Sequence, residues 1–336
     1  MSHRIPPSGV PRVLKRFPIA ALLAGWSLCA SCAPQRPVAF DGALAYRHVQ
    51  TQLEFGPRVP GTEAHRRAAD WIAAELGKTT AQVRRQAFVH ILPEPVAARG
   101  GGLKDTLPLF NLIASFAPEK ADRIMICAHW DSRPWADEEP DSSLHEFPVP
   151  GANDGASGVA VGLELARILG LTPPPLGVDI VFFDGEDLGT SDDLSEFLLG
   201  SKWFVSQARN YRPLAVILVD MIGDADLKIP KERFSDSLAP ALTKLVWDKA
   251  ASLGLSAFVD SVGVPVIDDH LPFLFSGISA VDLIDFDYPY WHTLADTADK
   301  VSPESLTVVG RLLSALIYDT PVAEYRRLQG PPSGRP

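Results

Sequence analysis

Four near-continuous apolar runs, at 123–128, 178–183, 214–219 and 278–284, constrain this chain more than any other feature. A strand that faces water on one side alternates apolar and polar residues, whereas a run without alternation has both faces covered. Helical spacing of apolar residues fills the intervals, at 42–55, 62–76, 156–169, 200–209, 237–253 and 303–317, with Thr62 available to cap the second of these. Two further strands are read at 83–91 and 109–116. Doubly covered strands separated by helices define the α/β class. The expected architecture is one globular domain, an α/β/α sandwich whose central mixed, largely parallel sheet carries helices on both faces.

Composition narrows the function classes. With 336 residues, 46% hydrophobic and 21% charged, the chain can bury one large core. Its net charge of -10, with no cluster of Lys and Arg in the body of the chain, argues against nucleic acid as the main partner and favours a small-molecule or peptide substrate. The basic residues Arg4, Arg12, Lys15 and Arg16 precede an apolar stretch at 17–28 that is too short to span a bilayer, followed by Ala30, Ser31 and Cys32. Residues 1–32 therefore read as an export signal, and the ending Leu28-Cys-Ala-Ser-Cys32 resembles a bacterial lipoprotein cleavage site that would leave Cys32 as the lipidated first residue. Cys29 departs from that pattern, standing where Leu is common. The expected location is periplasmic or membrane-anchored through Cys32, otherwise secreted. After removal of the signal only Cys127 is left, so no internal disulfide forms and this thiol is expected to pack as an apolar group. Residues 33–40 and 321–336 read as flexible segments flanking a domain at 41–320, expected to be monomeric.

Open α/β sheets bind ligands beyond the carboxyl ends of their strands. Polar residues follow each apolar run: His129-Trp-Asp-Ser132, Asp184-Gly-Glu-Asp187, Asp220, and the stretch from Asp285 to His292. A glycine-rich loop, Gly151-Ala-Asn-Asp-Gly-Ala-Ser-Gly158, places Asp154 at the start of a helix. Zinc takes His nitrogen and carboxylate oxygen, and His129, Asp154, Asp187, Asp220 and His292 supply both from five separate segments. Taken singly, Asp154 also fits a helix cap, and the adjacent pair Glu186-Asp187 also fits a solvated turn.

These motifs, with Trp291-His-Thr293, resemble the zinc-dependent aminopeptidase superfamily and its glutaminyl cyclase branch, from about residue 56 to about residue 316. The resemblance implies a zinc-exopeptidase-like sandwich. For the aminopeptidases it implies two zinc ions bridged by Asp154, one held with His129 and Asp220 and the other with Asp187 and His292, and Glu186 as general base. For the cyclases it implies a single zinc on Asp154, Asp187 and His292.

Other features favour the cyclase branch. Twelve residues, 188–199, separate the acidic pair from Gly200-Ser201, a long loop similar to that of the cyclases. Asp268, in Asp268-Asp-His-Leu-Pro-Phe273, matches the Asp that hydrogen-bonds the catalytic Glu in cyclases, and Trp291 matches their pocket indole. Asp268 also fits a turn, and Trp291 an ordinary core position. Asp187 stands where animal cyclases have Glu, and Asp282 where they have His. The expected activity is conversion of N-terminal glutamine of peptides to pyroglutamate with one zinc. Glu186 and Asp268 would be catalytic and Trp291 would form the substrate pocket. The alternatives are a zinc aminopeptidase with one or two zincs and a non-catalytic binding ectodomain on the same fold.

Overall fold

The computed structural model describes residues 36–80, 82–93, 103–190, 193–208 and 210–328, together with four residues before position 10. The apolar stretch 17–28 and Cys32 lie outside the described residues. The residues from Arg36 onward pack as one unit.

Two amphipathic helices open this unit, α1 at Gly42–Glu54 and α2 at Glu63–Gly77. Thr62 caps α2 as expected, its hydroxyl accepting from His65 N at 3.2 Å. The strands β1 at Val83–Ile91, β2 at Thr106–Phe116 and β3 at Arg123–His129 follow. Next come α3 at Ala156–Leu171, β4 at Gly177–Phe183, α4 at Leu199–Gln207 and β5 at Ala215–Asp220. A parallel pair, β6 at Ile229–Lys231 and β7 at Phe258–Val262, brackets α5 at Arg233–Leu238 and α6 at Pro240–Ser252. The described chain closes with α7 at Leu271–Phe275, β8 at Ala280–Ile284, α8 at Pro303–Tyr318 and α9 at Val322–Arg327.

The main sheet has six strands in the order β1-β2-β4-β3-β5-β8. β1 and β2 pair antiparallel, as do β2 and β4, while β4, β3, β5 and β8 run parallel. Period-two burial divides each continuous run between two cores. Ile124, Ile126, Ile217 and Val219 join the large cluster under α1, α3, α6 and α8. Met125, Cys127, Val216 and Leu218 face the opposite layer with Phe204 of α4 and Phe273 of α7. Cys127 is a buried free thiol, packed as the sequence implied. The parallel strands put their carboxyl ends on one edge, where His129, Asp184 and Asp220 end or directly follow β3, β4 and β5.

Two departures from expectation have local causes. β2 starts at Thr106 rather than 109 even though Pro108 lies within it. That part of β2 pairs only with β1, so the missing proline N–H leaves no second ladder short of a donor. Residues 322–327, expected within a flexible tail, form α9 because Tyr325 is fully buried and its hydroxyl donates to Leu316 O at 2.8 Å.

Candidate metal centre and substrate pocket

The glycine-rich loop is built to place Asp154. Arg58, fully buried, donates to Trp130 O at 3.1 Å, Pro150 O at 2.8 Å and Gly151 O at 2.6 Å, and so ties the loop to the end of β3. From the other side the Asp296 carboxylate accepts from Asn153 N at 2.8 Å and Asp154 N at 3.2 Å. Gly155 follows with φ of 82°, and a Cβ there would lie 2.9 Å from His129 Cε1, so only glycine lets the loop close against the histidine. Asp154 is not the cap of α3: that position is Gly155, without a side-chain cap bond, and the Asp154 carboxylate is left free for other use.

The acidic turn after β4 sorts its carboxylates by hydrogen bonding. Asp184 turns inward, accepting from His65 Nε2 at 2.8 Å and Phe110 N at 2.7 Å. Gly185, at φ of 68°, reverses the chain. The Asp131 carboxylate then accepts from Glu186 N at 3.2 Å and Asp187 N at 3.3 Å, fixing the pair beside His129. The solvated-turn reading of this pair does not hold, because Glu186 is 9% and Asp187 2% exposed.

Two sets of donor atoms result: His129 with Asp154 and Asp220, and Asp154 with Asp187 and His292, each set within 4.8 Å. The five residues assembled from the sequence thus meet at one place, with Asp154 shared. In the first set His129 Nε2 lies 3.0 Å from Asp154 Oδ1 and 3.2 Å from Asp220 Oδ1. In the second, His292 Nε2 lies 3.4 Å from Asp187 Oδ1 and 3.8 Å from Asp154 Oδ2. Zinc bonds of about 2.0–2.1 Å in a tetrahedron hold their ligand atoms about 3.3 Å apart, so both sets suit zinc, as one ion or two. Asp187 Oδ2 is buried and takes no hydrogen bond, an acceptor suited to a cation. His292 and Met221, each at or next to a ligand position, adopt positive φ of 54° and 46°. Such strain in residues other than glycine gathers at functional sites.

Arg133 and Asp137, which the sequence reading did not single out, brace this second set. Arg133, 2% exposed, donates to Asp187 Oδ1 at 2.7 Å and to both Asp137 oxygens at 2.6 Å. Asp137 Oδ1 in turn lies 3.4 Å from His292 Nδ1, which directs Nε2 toward the ligand cluster. Burial by itself would raise the pKa of Asp187, but His292 and Arg133 hold it below its ordinary value. The i, i+4 spacing of Arg133 and Asp137 was the available signal, yet outside a helix that spacing carries no expectation of contact.

Glu186 faces the cavity and, among the described residues, no group donates to its carboxylate. Burial, then Asp187, pushes its pKa well above the ordinary value, with Asp268 and Asp269 adding to the shift. Asp268, 3% exposed, lines the same cavity and accepts from Asp269 N at 2.6 Å. Burial, then Asp220 and Asp269, raises its pKa well above the ordinary value. Among the described residues no direct hydrogen bond joins Asp268 to Glu186. The cavity, about 290 Å³, is walled by Trp291, Phe286, Met221 and Val266, and by Leu194 and Phe197 from the long loop. Trp291 stacks on the His292 ring at 3.8 Å and is half-buried, a pocket wall rather than a core residue. Among the described residues no helix is long and apolar enough to cross a membrane.

Comparison with known proteins agrees with this centre. Aminopeptidase YwaD of Bacillus subtilis (strain 168) is 29% identical over 209 residues, which are 59% of this chain and 41% of that relative, so the chain spans about two-fifths of its length. The crystal structure of Bacteroides thetaiotaomicron glutaminyl cyclase bound to N-acetylhistamine superposes with a TM-score of 0.79 at 35% identity, covering 85% of this chain and 100% of the other. That of a leucine aminopeptidase precursor from Bacteroides thetaiotaomicron VPI-5482 superposes with a TM-score of 0.78 at 35% identity, covering 85% and 99%. The two solved structures are equally near, and structural similarity does not choose between the branches. The model of peptidase family M28 matches residues 111–317, a span that carries every residue of both donor sets, and the chain belongs to that family.

Proposed function

We propose that the chain is a zinc-dependent glutaminyl-peptide cyclotransferase, which closes the N-terminal glutamine of peptides to pyroglutamate and releases ammonia. The observation that carries this reading is the unequal spacing of the two donor sets. His292 stands 3.4 and 3.8 Å from its carboxylates, beyond good hydrogen-bond length and suited to a cation between them. His129 stands 3.0 and 3.2 Å from its own, and its Nε2 is within hydrogen-bond reach of Asp220, a contact that holds this set together without a second zinc. The cavity walled by Trp291, Leu194 and Phe197 supports the same reading, since an apolar-walled pocket holds glutamine folded onto itself.

In this reading Asp154, Asp187 and His292 hold one zinc, whose chemistry is to polarise the side-chain amide carbonyl of the substrate and stabilise the charge growing on its oxygen. The α-amine nitrogen of the substrate bonds to the amide carbon, and the bond from that carbon to the amide nitrogen breaks. Glu186 takes a proton from the attacking amine and returns it to the leaving nitrogen, which departs as ammonia. A buried carboxylate with a raised pKa suits that two-way transfer. Asp268 shares the cavity wall and sets the field around Glu186, while Trp291 closes the pocket over the substrate.

A hydrolytic reading has support of its own: the first donor set is complete, and the chain resembles aminopeptidases as closely as cyclases. There His129 and Asp220 would hold a second zinc and Glu186 would take a proton from the attacking water. Incubation with one peptide that starts in glutamine and one that starts in leucine, read by mass, tests the two. Loss of ammonia from the first with neither peptide shortened is expected; release of free amino acid from either would make hydrolysis the activity. Export through residues 1–32 with a lipid on Cys32 belongs to the same proposal. Fatty-acid labelling in cells should mark the protein and disappear in Cys32→Ser.

A further inference from the structure

A second concavity of about 400 Å³ adjoins the catalytic cavity and shares two walls with it, Leu194 and Ile267. Leu198, Phe234, Leu271 and Phe275 complete its apolar surface. Leu194 is 52% exposed, Ile267 44% and Phe275 72%, values that set this patch apart from a buried core. Lys202 is the one charged residue along it, and its Nζ is already engaged by Ser195 O at 2.8 Å and Phe197 O at 2.7 Å. The contact the groove offers is therefore mainly apolar.

We infer that this groove is a subsite for the side chains that follow the first residue of a peptide substrate, and that it selects apolar ones. The inference rests on the reading of the cavity as a site for peptide N-termini. Continuity argues for this occupant: the catalytic cavity is open, and the part of a peptide that follows the residue bound at the centre must leave past its rim. Leu194 and Ile267 form that rim on one side and the floor of the groove on the other, so a chain crossing them brings its next side chains over Leu271 and Phe275. Desolvation points the same way: an acidic side chain in this groove would shed water against an apolar surface, where an apolar one gains contact.

The test compares kcat/KM for Gln-Leu-Phe-Gly, Gln-Ser-Ser-Gly and Gln-Asp-Asp-Gly amides on the zinc-loaded protein. The apolar peptide is expected to be preferred by about tenfold over the serine peptide, the scale of a few methylenes in an apolar site, and by more over the acidic one. Phe275→Asp should bring the apolar-to-serine ratio down to about unity. Ile91→Asp introduces the same charge at a 72% exposed position on β1 and should leave the ratio as it is. A flat wild-type profile, or a ratio that survives in Phe275→Asp, would overturn the inference. Self-association that Phe275→Asp abolishes, with the peptide ratio unchanged, would also overturn it by assigning the groove to a second copy of the chain. The ratio is read equally well from cyclisation or from hydrolysis of the matching Leu-initiated peptides, so hydrolysis with the preference intact sinks the cyclase reading alone. Turnover of none of these peptides would overturn both.

Discussion

Replacing Arg133 by Met should destabilise the metal-free protein more than the zinc-loaded one. Arg133 is 2% exposed and makes three short charge-assisted hydrogen bonds, two to Asp137 and one to Asp187. Methionine keeps much of the volume but leaves Asp187, itself 2% exposed, as a buried carboxylate with only His292 to offset its charge. Breaking a buried ion pair from one side costs about 3–5 kcal/mol. Asp137 has 34% of its side chain exposed, so water recovers part of its share. When zinc is bound, the ion itself supplies the charge Asp187 has lost. What is then lost is orientation of the ligand, worth about 1.4–2.7 kcal/mol for a 10–100-fold effect. The apo state therefore suffers the greater loss, and the stabilisation zinc confers should grow in the variant. Melting curves with and without chelator provide the assay. Chelated Arg133→Met should melt on the order of 5–10 °C below chelated wild type, with the zinc-loaded pair closer together. Equal losses in both states would refute the charge argument and leave only packing of Arg133 against Trp135 and Phe197, whose rings lie 5.4 and 5.7 Å from its guanidinium carbon.

Glu186→Gln should keep its zinc content and lose turnover of glutamine peptides by about 100-fold or more, measured by metal analysis beside ammonia release; full activity would remove Glu186 from proton transfer. Chelation of wild type should abolish turnover and lower the melting temperature, with one equivalent of zinc restoring activity for a cyclase and two required for a dinuclear peptidase. Glu232 accepts from Phe234 N, Ser235 N, Val266 N and His270 Nε2, and although burial opposes its charge, His270 and the Phe234 and Ser235 amides lower its pKa to about 2. A depressed carboxylate stabilises the fold above its unfolded value near 4.5 and loses that contribution as pH falls toward 2. Glu232→Gln should accordingly flatten the acid limb of stability over that window, by about 2 kcal/mol once solvent screening is allowed for, in urea titrations at stepped pH.

The strands and the five donor residues were legible because each depends on local pattern. A continuous apolar run states that both faces are covered, and the carboxyl end of a covered parallel strand is where polar side chains can emerge. The alternation of Met125 and Cys127 with Ile124 and Ile126 even divides the two cores. What stayed hidden depends on contacts between segments far apart in sequence. Arg58 lies between two prolines with no local mark of its role, yet the fold sends it under a loop more than ninety positions away, where Pro150 O and Gly151 O, with Trp130 O from the end of β3, take the place of a carboxylate partner. Arg133 and Asp137 stand four apart outside a helix, a spacing that predicts no contact, and their role emerges only where β4 delivers Asp187 and the turn after β8 delivers His292 beside them. The same distinction explains why the donor inventory does not choose the reaction. The three ligands of a cyclase are contained in the five of a dinuclear peptidase, and both reactions use the same free carboxylate, so the choice turns on spacing and enclosure. Both depend on residues such as Arg133, Asp137, Leu194 and Phe197, whose types leave no periodic mark.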